Sequence, residues 1–153
     1  MEMFRVVEKP WSGSAFDGEG ASICGGRWNN KGTAMVYAAS TRALAILELL
    51  VHLEDSYIAQ QNFVIFRATI NDSYIMDLGK GLPNDWQSDI IPLSTQAIGD
   101  DWARQQASAV LEVPSAIIPE EKNYLINPLH SDFKRLMIDK AQSLLFDPRL
   151  VKP

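Results

Sequence analysis

The sequence predicts an α+β fold, a compact and mostly antiparallel sheet with few helices. Many short apolar runs, rich in β-branched and aromatic residues, are separated by turn signals. Only two stretches have the length and apolar spacing of a helix. No internal repeat, heptad pattern or flexible linker divides the 153 residues. We therefore expect residues 1–153 to form a single domain.

The predicted elements follow from local patterns. A short apolar run at residues 34–38 predicts a strand, and the run at 43–53 predicts a helix that Ser40 or Thr41 can cap. A second helix is predicted to begin at Ser94 or Thr95 and to end near residue 107. Residues 12–26 form one long Gly/Ser-rich connection in this interpretation. The other predicted strands are residues 4–7, 63–70, 74–77, 109–113, 116–118, 124–126, 135–140 and 143–146.

Composition excludes several classes of protein. The formal net charge is −5 and the basic residues are dispersed, so direct binding of nucleic acid by this chain is not expected. The N-terminus lacks a secretory signal and no apolar run reaches the length of a membrane span. Cys24 is the single cysteine and there are two histidines, so we expect neither a disulfide framework nor a metal site. These observations predict a cytoplasmic domain with no membrane partner.

Glu48 is the most informative polar residue. Between residues 43 and 53 only Glu48 and His52 are polar, and a helix that is apolar on every face is expected to be buried. One interpretation is a carboxylate that faces solvent or pairs structurally with Arg27 or Arg67. The other is a carboxylate in a low-dielectric cleft that stabilises positive charge on a substrate. The Glu48–His52 pair lacks the second histidine of a zinc-protease helix.

Other candidate residues each allow two interpretations. Arg27 follows two glycines and is either a solvated loop residue or a fork for phosphate oxygens, although the spacing is not that of a P-loop. Tyr37 is either a core aromatic or a wall on which a ring stacks. Ser115, after Pro114, is suited to orient a substrate by hydrogen bonding but lacks the adjacent base of a nucleophile. His130 is either a turn residue or a member of the site.

A set of motifs occurs in one order along nearly the whole chain. The motifs are Gly18-Glu19-Gly20, Gly25-Gly26-Arg27-Trp28-Asn29, Val36-Tyr37, Leu47-Glu48 with Val51-His52, Thr95-Gln96 with Gly99-Asp100 and Trp102, Val113-Pro114-Ser115, and Asn123 with Leu125-Ile126-Asn127-Pro128 and His130. Together they resemble the RES domain, named for an arginine, a glutamate and a serine. A small departure is Ser131, where the family pattern has proline after the histidine.

The resemblance implies a fold like that of ADP-ribosyltransferase toxins and the activity of a bacterial toxin that depletes NAD. NAD is then a substrate rather than a cofactor, and inorganic phosphate is the expected co-substrate of a phosphorolysis; hydrolysis, ADP-ribosylation of a macromolecule and a non-catalytic nucleotide-binding module are the alternatives. The implied partner is an antitoxin with an Xre-like helix-turn-helix domain, and a homodimer is a further candidate assembly. Carried over by motif, the catalytic residues are Arg27, Glu48 and Ser115, and the substrate-binding residues are Trp28, Tyr37, Asn29, Asn127 and His130.

Overall fold

The computed structural model describes residues 1–152 and contains one sheet with four α-helices. Three short 3-10 helices span Lys9–Ser14, Asp72–Tyr74 and Ser131–Arg135. The α-helices are α1 (Glu19–Cys24), α2 (Arg42–Leu50), α3 (Asp55–Gln60) and α4 (Leu93–Arg104). The strands are β1 (Glu2–Glu8), β2 (Val36–Ala39), β3 (Phe63–Thr69), β4 (Ile75–Asp77), β5 (Val110–Pro114), β6 (Lys122–Ile126), β7 (Met137–Ile138) and β8 (Gln142–Leu144).

The strands form a sheet in the order β4-β5-β6-β2-β1-β3-β7, and β8 also pairs with β3. Every pairing is antiparallel except that of β4 with β5, which is parallel. The parallel pair requires a long crossover, and α4 lies within it. The predicted α+β fold with a mostly antiparallel sheet is therefore confirmed.

The two faces of the sheet are covered by different parts of the chain. Residues paired across antiparallel strands share a face, so Ala39, Asn123 and Val113 point the same way. We call this the helix face, because α2 packs on it through Leu44 and α4 through Trp102. The opposite face carries a larger apolar cluster that includes Met3, Val36, Ala38, Ala68, Val110, Tyr124 and Ile126, with Phe16 and Phe133 packed against it.

Helix α2 differs from its prediction. The Thr41 hydroxyl accepts a hydrogen bond from the backbone N–H of Leu44 at 3.0 Å, as the capping pattern indicates. The helix is not buried on every face, however: Leu44 is fully buried, whereas Leu47 is 38 % and Val51 57 % exposed. The expectation of an enclosed helix was wrong because α2 is short and rests on the sheet along one side only.

Other boundaries also differ from the predictions. The long connection at residues 12–26 contains part of the first 3-10 helix and all of α1, and residues 55–60 form the unpredicted helix α3. Residues 116–118 form a bend rather than a continued strand, because Ser115 turns the backbone there. Helix α4 begins after Pro92, which supplies no side-chain cap.

Within residues 1–152 no helix has the length and apolar character needed to cross a membrane.

The two sides of α2 should respond differently to truncation. We expect Leu44→Ala to lower the free energy of unfolding by about 2–5 kcal/mol, because it leaves a cavity between α2 and the sheet. The matched change Leu47→Ala, on the exposed side, should cost less than about 1 kcal/mol. Urea denaturation followed by circular dichroism measures both, and equal losses would contradict this packing.

Candidate active site

The Glu48 carboxylate is held by two side chains from neighbouring strands. Its Oε1 accepts a hydrogen bond from Ser115 Oγ at 2.8 Å and another from Asn123 Nδ2 at 2.6 Å. Glu48 lies in the last turn of α2, Ser115 directly follows β5, and Asn123 belongs to β6. The register pairs Asn123 with Val113, so both donors stand at the same end of the β5–β6 pair. The pairing of these strands thus places the carboxylate.

No cation neutralises this carboxylate within residues 1–152, since Glu48 takes part in none of their ion pairs. Arg67 pairs instead with Glu2 and Asp139, and Arg27 donates to backbone carbonyls. The interpretation of Glu48 as a structural partner of Arg27 or Arg67 is therefore wrong. A carboxylate near the C-terminus of a helix also faces the negative end of the helix dipole. Neutral donors hold it in place and leave its charge uncompensated.

Ser115 is fully engaged in positioning. Its hydroxyl donates to Glu48 and accepts hydrogen bonds from the backbone N–H groups of Ile117 and Ile118, each at 3.1 Å. A hydroxyl has one donor and two acceptor positions, so all three are occupied. The side chain is completely buried. The buried hydroxyl orients the Glu48 carboxylate, and a direct contact of Ser115 with substrate stays a prediction.

Asn123 joins the cluster although the sequence reasoning gave it no role. Its Nδ2 binds Glu48, while its Oδ1 is buried and has no hydrogen-bond partner among residues 1–152. Buried amide oxygens are rarely left unpaired, so this atom keeps an unused acceptor next to the amide group that binds Glu48. The strand predicted at residues 124–126 starts too late to include Asn123. Strand β6 begins at Lys122, so Asn123 lies on the same inward-facing side as the core residue Leu125.

The backbone around Arg27 forms a tight loop. Gly26 and Asn29 form an isolated bridge, with the Gly26 N–H donating to the Asn29 carbonyl at 2.9 Å. The Tyr37 hydroxyl donates to Asn29 Oδ1 at 2.6 Å and accepts from the Trp28 N–H at 3.1 Å. Burial raises the pKa of Tyr37 well above its ordinary value, so the hydroxyl stays protonated and can serve as this donor. Tyr37 thereby supports the loop from β2.

Helix α4 holds the same loop from the other side. Thr95 Oγ1 donates to the Arg27 carbonyl at 2.6 Å, and Gln96 Nε2 donates to the carbonyl of Gly26 at 3.0 Å. A Cβ atom at Gly99 would lie only 1.7 Å from the Trp28 carbonyl oxygen, so only glycine permits this approach. These contacts bring the motif residues of α4 against those of the Arg27 loop, although the two motifs are distant in sequence.

Trp28 and Asn29, two of the residues predicted to bind substrate, stabilise the Arg27 loop itself. Trp28 is 3 % exposed and packs with Trp102 and Leu125, so stacking on a ligand would require its ring to leave the core. Asn29 is fully buried, and the two N–H groups of its Nδ2 lie within hydrogen-bond distance of three carbonyls, those of Ala21, Asn30 and Thr33. Tyr37 keeps a partly exposed ring next to the same loop. Substrate contact by these three residues stays a prediction.

The Arg27 loop and the Glu48 cluster lie on one face of the sheet. Tyr37 pairs with Leu125, and Asn123 stands two residues before Leu125 on β6. Tyr37 and Asn123 are therefore diagonal neighbours on the helix face, with a separation of roughly 7–8 Å between Cα atoms. Since Tyr37 supports the Arg27 loop and Asn123 holds Glu48, the sheet brings the two groups of residues side by side.

Asn127 and His130 lie at a different place, near the C-terminal end of α4. Asn127 Nδ2 donates to the Ala103 carbonyl, and its Oδ1 accepts from the Leu129 N–H. His130 Nδ1 accepts from the backbone of Asp132, which leaves Nε2 to donate to the Gln106 carbonyl at 3.0 Å. Asn127 also lines a cleft of about 430 Å³ beside this corner. Neither residue hydrogen bonds to Glu48, Ser115 or Asn123, and their predicted substrate contacts stay predictions.

Residues 1–152 contain no group of three or more His, Cys, Asp or Glu side chains arranged to hold a metal ion. The Glu48 carboxylate and the Arg27 guanidinium are each held by neutral hydrogen-bonding groups.

A model of the RES domain family matches residues 2–147 of the chain. This chain belongs to the RES domain family. This RES domain chain is similar to the toxin Res of Yersinia enterocolitica serotype O:8, with 41 % identity over 152 residues that cover 98 % of this chain and 99 % of that protein. It is also similar to the Prs ADP-ribosylating toxin of Sphingobium sp. (strain YBL2), with 39 % identity and coverage of 88 % of this chain and 86 % of that protein.

The fold of this RES domain has a counterpart among solved structures. A chain of the M. tuberculosis MbcT–MbcA toxin–antitoxin complex superposes with a TM-score of 0.77, covering 94 % of this chain and 83 % of that one. The sequences are 18 % identical, so this likeness concerns the fold.

The close approach of α4 to the Arg27 loop can be tested at Gly99. We expect Gly99→Ala to lower the free energy of unfolding by about 1–3 kcal/mol or more, because the added methyl group collides with the Trp28 carbonyl. Gly20→Ala is the matched control, since a Cβ there meets nothing within 4 Å and Ala favours a helix. Thermal unfolding of both variants measures the difference; a neutral Gly99→Ala would contradict the close approach.

Proposed function

We propose that this RES domain is the toxin of a toxin–antitoxin pair and that it cleaves the nicotinamide–ribose bond of NAD. The observation that carries the proposal is the Glu48 carboxylate, which two neutral donors hold beside the Arg27 loop without a cation of its own. Membership of the family and similarity to several proteins that are toxins support the same biological role.

The reaction we propose needs the groups that the cluster offers. The bond between C1 of the ribose and the nicotinamide nitrogen breaks, its electron pair leaves with nicotinamide, and positive charge develops on the ribose ring. A nearby carboxylate with no competing cation stabilises that charge. Nicotinamide leaves as a neutral ring, so the reaction requires no strong general acid.

The remaining groups orient the substrate in this proposal. The unpaired Oδ1 of Asn123 accepts a hydrogen bond from a ribose hydroxyl, which would complete the pairing of a buried oxygen. Arg27 binds an anionic oxygen of the diphosphate or of inorganic phosphate. Ser115 fixes Glu48 and does not contact the reacting carbon, since its hydroxyl is already engaged.

The acceptor determines the product. Attack by an anionic oxygen of inorganic phosphate gives ADP-ribose 1″-phosphate. Attack by water gives ADP-ribose, and the water oxygen loses a proton to Glu48 or solvent as it bonds to the ribose carbon. Transfer of ADP-ribose to a protein is the second candidate, because one relative is an ADP-ribosylating toxin. A non-catalytic nucleotide-binding module would release no nicotinamide at all.

The proposed partner is an antitoxin with an Xre-like helix-turn-helix domain. The solved structure of similar fold comes from a toxin–antitoxin complex, which supports a partner that restrains the activity. In this proposal the chain acts in the cytoplasm, where NAD is available to it, and a homodimer is a further proposed assembly.

Product analysis tests the proposed reaction. We expect the purified chain without antitoxin to release nicotinamide from NAD, and Glu48→Gln to reduce that release by at least about 10³-fold, because the amide cannot stabilise positive charge. The Gln oxygen can still accept both hydrogen bonds, so the fold should persist. Glu54→Gln, an exposed acid on the neighbouring helix boundary, is the control and should behave as wild type.

Chromatography and mass spectrometry of the ribosyl product, with and without phosphate, distinguish the acceptors. ADP-ribose 1″-phosphate formed only with phosphate supports phosphorolysis, whereas labelled protein with little free product supports ADP-ribosylation. Full nicotinamide release by Glu48→Gln would exclude Glu48 from the mechanism, and no release by the wild-type chain would overturn the proposed activity.

Asn123 provides a second test. Removing its amide deprives Glu48 of one hydrogen-bond donor. A hydrogen bond to a charged group contributes about 1.5–3 kcal/mol, which corresponds to about a tenfold to a hundredfold change in rate. We therefore expect Asn123→Ala to lower kcat/KM for nicotinamide release by that factor. The control Asn62→Ala, at an exposed position before β3, should leave kcat/KM unchanged. A wild-type value for Asn123→Ala would remove the residue from the site.

A further inference from the structure

A short segment between β4 and α4, residues 85–88, contacts the Arg27 side chain; we call it the strap. Arg27 Nη1 donates to the carbonyl of Trp86 and to that of Ser88, each at 2.9 Å. Nη1 carries two N–H groups, so both are engaged. The Nε and Nη2 atoms of Arg27 have no hydrogen-bond partner among residues 1–152. One end of the guanidinium is therefore fastened and one edge is free.

The strap is anchored to α4 through its first residue, Asp85, and is closed by a hydrogen bond between its own first and last residues. Ser94 Oγ donates to Asp85 Oδ1 at 2.6 Å, and the Ser88 N–H donates to the Asp85 carbonyl at 2.9 Å. In the middle of the strap, Gln87 Nε2 donates to the Ala116 carbonyl at 3.1 Å. Ala116 follows Ser115, the residue that binds Glu48. Gln87 thus connects the strap that holds Arg27 to the bend that holds the carboxylate.

The chemistry of the guanidinium explains what this connection achieves. The group is planar, and its Nε–H and one Nη2–H point the same way as a fork that fits two oxygens of a phosphate. Two carbonyls on Nη1 prevent the plane from rotating, so the direction of the fork is set before a ligand arrives. A side chain oriented in advance loses less conformational entropy on binding.

We propose that Gln87 is a positioning residue, which holds the strap so that Trp86 and Ser88 direct the free Nε–Nη2 edge of Arg27 at an anionic group of the diphosphate class. Gln87 itself does not contact the ligand. This inference rests on the proposed function only for the choice of NAD as the molecule that carries the diphosphate.

A double-mutant cycle tests the inference. The probe is ADP-ribose, whose dissociation constant is measured by calorimetry for the wild type, Gln87→Met, Arg27→Lys and the double variant. Met matches the length of Gln but cannot donate to Ala116, and Lys keeps a cation but has no fork. Asn84→Met is the control for a methionine at an exposed position next to the strap, where the side chain makes no hydrogen bond within residues 1–152.

We expect Gln87→Met to weaken ADP-ribose binding about fivefold, the value of one hydrogen bond, when Arg27 is present. With Arg27→Lys in place, the same change should have no further effect, because there is no fork left to direct. Asn84→Met should bind like the wild type. For NAD turnover, the expectation for Gln87→Met is a raised KM with little change in kcat.

Three results would overturn the inference: unchanged binding by Gln87→Met, an equal loss on adding Gln87→Met to the wild type and to Arg27→Lys, or no binding of ADP-ribose by the wild-type chain. Equal losses would indicate general damage to the strap rather than an effect through Arg27. The binding assay requires no turnover. A chain that shows the expected cycle but releases no nicotinamide would therefore refute the proposed function and leave the role of Gln87 supported.

Discussion

The hydrogen bonds from Asn123 and Ser115 to the Glu48 carboxylate depend on the register of β5 against β6. Side chains alternate between the faces of a sheet, so a shift of one residue in β6 would turn Asn123 to the opposite face. The core fixes that register, because Leu125 and Val113 on the helix face and Tyr124 and Ile126 on the other face are all buried. The position of one charged atom is thus specified by the packing of apolar residues on both sides of the sheet.

Charged and neutral groups have different roles in the candidate site. Glu48 and Arg27 are the two charged members, and each is held by neutral partners: a hydroxyl and an amide in one case, two backbone carbonyls in the other. If the two side chains formed an ion pair, each would satisfy the other and neither would gain from a ligand. Separate neutral anchors keep both charges in place and available.

The sequence predicted the fold class and most strands, since alternation and turn residues are local signals that survive folding. The position of helix α2 and its Thr41 cap were predicted correctly. Its complete burial was not confirmed, because burial depends on which distant elements pack against each side of the helix. The resemblance to the RES domain predicted that Glu48 and Ser115 belong to one site, and the two side chains are hydrogen-bonded in the structure. It could not indicate the hydrogen bond from Asn123 to Glu48, the three hydrogen bonds of the Ser115 hydroxyl, or the strap.

Some of the missed features have no local signature. The contacts of Trp86 and Ser88 with Arg27 use backbone carbonyls, which every residue has, so no side-chain pattern reveals them. Gly99 and Trp28 are distant in sequence, and the need for glycine appears only when the helix is laid against the loop. Asn123 is different: it directly precedes the strand predicted at residues 124–126, and it shares the face of Leu125 because β6 begins earlier, at Lys122.

The half-exposed packing of α2 has a consequence for the proposed activity. The helix is attached to the sheet by Leu44 and Ala45, one turn before Glu48, while the turn that carries the acid ends in partly exposed residues. Helix ends with few buried contacts open far more often than the sheet beneath them. In the proposed mechanism, the fraction of molecules whose last turn of α2 is helical therefore limits the population that holds Glu48 in place, and fraying alone can change this fraction while the strands stay intact.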